Sequence, residues 1–71
     1  MDKEDSMLTS NVKRIMKEKG VTIRAMNEAT GLSFETITRA RKEHINLCRL
    51  NTLEAIAKYL GCKVKDLFEE D

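Results

Sequence analysis

An all-α fold, a compact bundle of five short helices, follows from three features of this sequence. Its 71 residues contain no proline and only three glycines, so long stretches are free of helix breakers. Apolar residues recur at helical rather than alternating spacing. Each glycine follows such a stretch, where the left-handed conformation it tolerates ends a helix.

Taken in order, the elements are these. Leu8, Val12, Ile15 and Met16 fall at i, i+4, i+7 and i+8 and form one apolar stripe on a first helix, about Ser6 to Lys19, closed by Gly20. Thr22 is a natural N-cap for a second helix, with Ile23, Met26 and Thr30 along one side and Gly31 at its end. Ser33 caps a third helix that reaches about Arg41, with Ile37 and Ala40 on its inner side. Residues 42–50 read as a polar connection. Asn51-Thr52-Leu53-Glu54 then has the form of a capping box, with Asn where Ser or Thr is usual. It starts a fourth helix carrying Leu53, Ile56, Ala57 and Leu60 and stopping at Gly61. Val64, Leu67 and Phe68 mark a fifth helix from about Val64 to Glu69. No strand is expected.

With 41% apolar and 35% charged side chains, the chain reads as one small domain, 1–71, whose acidic ends, 1–5 and 69–71, fray. A chain this short buries only about 60% of its unfolded surface, so it is marginal alone and pairing with a copy of itself would help it. A self-contained catalytic cleft does not fit in it, and no enzyme signature is present. The apolar runs are too short for a transmembrane helix or a signal-peptide core. Cys48 and Cys62 are too few for a disulfide scaffold, so a reduced cytoplasmic setting is expected. His44, Cys48 and Cys62 make three ligands where a structural zinc site wants four, so neither a metal nor a cofactor is expected.

Net charge is +1 and looks uninformative until it is divided by position. Residues 1–10 carry −2 and residues 66–71 carry −4, while residues 11–65 hold twelve basic against five acidic side chains, or +7. The body is basic and the ends are acidic. A basic body supplies the attraction to phosphate that non-specific DNA binding needs, although a solvated helical surface looks the same on charge alone.

The segment from Thr22 to Arg41, residues 22–41, is the part that points to a function. Two short helices are joined by Gly31-Leu32-Ser33, a glycine for the turn, an apolar residue to pin the corner and a cap to start the next helix. That is the length and order of a helix-turn-helix, whose second helix enters the major groove. TIRAMNEATGLSFETITRA, followed by INLCRLNTLEAIAKYLGCKVKDLF, resembles the lambda-repressor/Cro-like (XRE) helix-turn-helix family. That family continues with an L-x-T-L-x-x-(I/L)-A-x-x-L-G run, here Leu50, Thr52, Leu53, Ile56, Ala57, Leu60 and Gly61, and then with positions held here by Val64, Leu67 and Phe68. The likeness covers about residues 9–68. Three positions depart from it: Ile23 stands where Gln often braces a phosphate, Asn27 where a small residue is usual, and Arg41-Lys42-Glu43 where Glu-Arg-Gly is common.

The resemblance implies docking through the third helix. At 100° per residue, Ile37 and Ala40 share one side of it, and Glu35, Thr38 and Arg39 lie towards the other. Phe34, Glu35, Thr38 and Arg39 are then the base-reading candidates: Arg39 to guanine, Glu35 to cytosine N4 and Phe34 to a thymine methyl. Glu35 and Arg39 are also i, i+4 and can pair with each other on a solvated surface. Thr22, Arg24, Ser33, Thr36, Arg41 and Lys42 are the candidates for the DNA backbone.

The expected function is a sequence-specific transcriptional regulator, a repressor of phage or mobile-element type. It would bind double-stranded DNA as a homodimer in a bacterial or phage-encoded, nucleoid-associated setting. No membrane or small-molecule substrate is implied. The dimer contact is expected near Lys63 to Phe68. The competing reading is a protein-interaction module, an antitoxin or antirepressor, favoured by Ile23, Asn27 and the acidic tail at 66–71.

Overall fold

The computed structural model describes residues 8–70, the side chain of Glu43 excepted. It is mostly helical, with four α-helices and a small two-stranded sheet: β1 Leu8–Ser10, α1 Val12–Lys19, α2 Ile23–Thr30, α3 Phe34–Ala40, α4 Leu50–Leu60 and β2 Phe68–Glu70. Two 3-10 segments, Glu43–Leu47 and Val64–Asp66, complete the order. The expectation of five helices and a strictly all-α fold is therefore corrected.

The three glycine stops hold, as do the caps at Thr22 and Ser33. Gly20, Gly31 and Gly61 all have positive φ and end α1, α2 and α4. The Thr22 hydroxyl accepts the Ala25 N–H at 3.0 Å, and the Ser33 hydroxyl accepts the Thr36 N–H at 3.0 Å.

The corrections fall at the two ends. β1 and β2 pair antiparallel, Leu8 against Glu70, Thr9 against Glu69 and Ser10 against Phe68. Leu8 does pack against the core, but from a strand with half-buried Leu8 and Ser10 on either side of exposed Thr9. Its spacing to Val12 mimics a helical step, and a partner 58 positions or more along the chain leaves no local trace. α1 therefore begins at Val12, after the Asn11 N–H has donated to the Leu67 carbonyl at 2.7 Å. The proposed start at Ser6 lies outside the described residues. At the other end, one 3-10 turn is closed by the Asp66 carboxylate, which accepts the Lys63 N–H at 3.0 Å. The chain then extends into β2, so Glu69 and Glu70 are paired rather than frayed; residues 1–5 and 71 lie outside the described part.

The capping box at Asn51 does not form either. Arg49 is the N-cap of α4, without a side-chain bond, and Asn51 lies inside the helix. The preceding 3-10 segment fixes where the chain enters α4, because its Ile45 is buried to 1% exposure among the core residues. A tertiary anchor of that kind outweighs a cap worth about 1 kcal/mol. The core itself takes Val12, Ile15 and Met16 from α1, Met26 from α2, Ile37 and Ala40 from α3, the whole inner stripe of α4, and Leu67. Leu67 is fully buried and Val64 and Phe68 pack on the core, so the apolar side chains of the chain end are used within the chain.

Candidate nucleic-acid interface

The turn between α2 and α3 is held by side chains as well as by glycine. Gly31 sits at φ +79°, a conformation that a side chain rarely adopts, and its N–H donates to the Asn27 carbonyl at 2.9 Å. The Asn27 amide donates to the Leu32 carbonyl at 2.6 Å. The Thr30 hydroxyl donates to the Met26 carbonyl at 2.7 Å and accepts the Leu32 N–H at 3.2 Å. Asn27, a departure from the family pattern, is thus a clamp on the corner. Asn27→Ala is expected to lower stability by about 1 kcal/mol, read as a drop in thermal midpoint; an unchanged midpoint would remove the clamp.

α3 is fixed from behind and left open in front. Ile37 and Ala40 are fully buried, and the Ser10 hydroxyl donates to the Ala40 carbonyl at 2.5 Å while accepting the Val12 N–H at 3.2 Å. One hydroxyl thereby ties the end of α3 to the start of α1. On the outer side, Phe34 is 54% exposed, Glu35 and Arg39 are exposed and Thr38 is half-buried. A large aromatic left that open at the start of a helix has surface to offer a ligand.

All four base-reading candidates line one open groove of about 460 Å³ on this side: Phe34, Glu35, Thr38 and Arg39, joined by Lys42 and His44. His44 comes from the 3-10 segment, and the sequence suggests it only as a metal ligand. Its place directly after Arg41-Lys42-Glu43 was the available signal. The remaining backbone candidates lie outside the groove lining. Thr22 and Ser33 serve as caps, and the Ser33 hydroxyl also donates to the Thr36 hydroxyl at 2.9 Å. Arg24 is exposed and faces Glu28 at 3.6 Å. Arg41 is half-buried, with its Nε out of contact with solvent and without a hydrogen-bond partner.

The groove is cationic. Arg39 and Lys42 outnumber Glu35, and the Arg39–Glu35 ion pair is long at 4.0 Å with Glu35 85% exposed. An exposed i, i+4 pair of that length contributes a few tenths of a kcal/mol at most and leaves Arg39 free to change partner. Burial pushes the Cys48 thiol up, with the Arg39 charge pulling the other way. Burial also raises Cys62, reinforced by Asp66 and opposed by Lys19. Both cysteines are free thiols, and raised values leave little thiolate near neutral pH. Among the described residues, no group of three or more His, Cys, Asp or Glu is placed to hold a metal ion. No helix among them is long and apolar enough to cross a membrane.

Two helices at a clamped corner, the second carrying a cationic groove on its open side, define a helix-turn-helix protein. A family model of the Cro/C1-type HTH DNA-binding domain matches residues 11–70, and the chain belongs to that family. No curated protein sequence matches it significantly.

Proposed function

We propose that the protein is a sequence-specific transcriptional regulator, a repressor of phage or mobile-element type, acting as a homodimer on double-stranded DNA in the cytoplasm. The observation that carries this reading is the groove, which gathers Phe34, Glu35, Thr38 and Arg39 with Lys42 and His44 on the open side of α3. In this reading Arg39 pairs with guanine, Glu35 accepts from cytosine N4 and Phe34 meets a thymine methyl. Thr22, Arg24, Ser33, Thr36, Arg41 and Lys42 position the duplex through its phosphates. The α3 register supports it, because Ile37 and Ala40 are fully buried and the opposite residues must then face out.

Titrating the protein into duplex DNA at rising salt is the direct test. Affinity is expected to fall linearly on a log–log plot, with a slope near −0.9 for each phosphate neutralised. A flat response, or no binding at low salt, would sink the proposal. The second reading, a protein-interaction module such as an antitoxin or antirepressor, draws on Ile23. That side chain is apolar and packs against the core, so the first residue of α2 offers a phosphate no polar side chain. Undetectable DNA binding at low salt is the outcome it requires.

A further inference from the structure

His44 is the only histidine of the chain, and it is exposed on the lining of the groove together with Arg39 and Lys42. The backbone holds it there. The Lys42 N–H donates to the Arg39 carbonyl at 3.2 Å, which ties the start of the first 3-10 segment to the end of α3. The Ile45 N–H then donates to the Lys42 carbonyl at 3.1 Å, and the Ile45 side chain, directly after His44, is buried in the core. Arg39, Lys42 and His44 therefore line the groove from one hydrogen-bonded stretch anchored from behind.

Two cations make this side of the groove attractive to phosphate, and an imidazole adds a third positive charge only when it is protonated. The charged groups around it are few. α3 contributes Arg39 and Glu35, the latter well exposed to solvent. β1, packed on the same 3-10 segment, consists of Leu8, Thr9 and Ser10 and contributes none. The segment itself follows Lys42, has Glu43 before His44 in the chain, and ends at the Cys48 thiol. Imidazole is the side chain whose charge ordinarily changes between about pH 5 and 8. Burial pushes both thiols up, away from that range.

We infer that His44 is a proton-dependent phosphate contact of this interface, so that duplex DNA is bound more tightly as the pH falls from about 8 to about 6. The inference rests on the DNA-binding reading and adds a regulation of the same site. Its sign follows from linkage. A bound phosphate favours the charged imidazole, so binding takes up a proton and a fall in pH drives it. The gain is fully present once the free imidazole is itself charged, and it is lost as pH rises past the range in which phosphate holds the proton.

Titrating the full chain into a duplex at about pH 6 and about pH 8, at matched ionic strength, tests this. Affinity is expected to be roughly 3- to 10-fold higher at the lower pH, which proton uptake by one histidine allows. The salt slope should be steeper there by about 0.9, one further phosphate. His44→Gln is expected to bind with the same affinity and slope at both pH values. His44→Lys, always charged, should keep the tighter binding and the steeper slope at both. A wild-type chain that binds equally at both, or a pH ratio unaltered in His44→Gln, overturns the inference and leaves the DNA-binding reading standing. No binding at either pH overturns both. The wild type supplies a further readout: the imidazole Cε1–H resonance of His44 should titrate at higher pH with duplex present, and an unmoved titration overturns the contact.

Discussion

Replacing Ile45 by Ala is expected to destabilise the protein by about 2–4 kcal/mol, whereas Leu47→Ala, two positions on, should cost less than about 0.5 kcal/mol. The two residues share a 3-10 segment and a similar side-chain size, but Ile45 is 1% exposed and Leu47 66%. Truncating Ile45 leaves a cavity that the surrounding core residues fill only in part. Truncating Leu47 removes atoms already in water. A chain of this length has a total stability of roughly 4–10 kcal/mol, so the first change consumes a large share of it. Urea unfolding followed by circular dichroism compares the two, with midpoints shifted at constant slope. Equal midpoints for the two variants would show that the segment is not anchored through Ile45. The consequence reaches the groove as well. Lys42 and His44 stand on either side of Glu43, where this segment begins. Loosening the segment should therefore weaken DNA binding in conditions where the variant is still folded.

Ile45 also shows where a local reading of the sequence stops. The helices around the corner were legible because their signals are local: Thr22 and Ser33 satisfy amides three residues on, and Gly31 takes the backbone angle that the turn requires. The inner stripe of α4 was legible from its spacing for the same reason. Ile45 is separated from Leu47 by one residue, and two apolar residues are too few to show a period or to tell which of them is buried. β1 and β2 are three residues each and pair across nearly the whole chain, so neither carries an alternating run long enough to read. Leu8 and Phe68 face inward as their apolar character implies, but from strands and not from helices. Asn51 failed for a different reason: the capping pattern was real, but the anchored segment before it starts α4 at Leu50. Within the corner, Asn27 looked like a departure from the family because its value lies in a bond to Leu32 that only the folded turn creates.

Arg39→Ala is expected to cost specific DNA binding about 1–3 kcal/mol, a loss of roughly 5- to 150-fold, and to flatten the preference at one base position. Arg39 is the groove residue with the most to give. Its side chain is 43% exposed against 85% for Glu35, so its stem is already partly held in place before DNA arrives. The ordering cost of binding is lower for a side chain so constrained. Its bond to Glu35, 4.0 Å long, is weak enough to be exchanged for a base edge. Two companions separate base reading from simple charge. Arg39→Lys keeps the positive charge but loses the planar fork, so it should restore non-specific affinity and not the base preference. Lys42→Ala should weaken all sequences alike and reduce the salt slope by about one phosphate. Selection from a random duplex pool with each variant reads all three at once. If Arg39→Ala returns the unaltered consensus, Arg39 contacts phosphate at most and the reading of sequence passes to Phe34, Glu35 and Thr38.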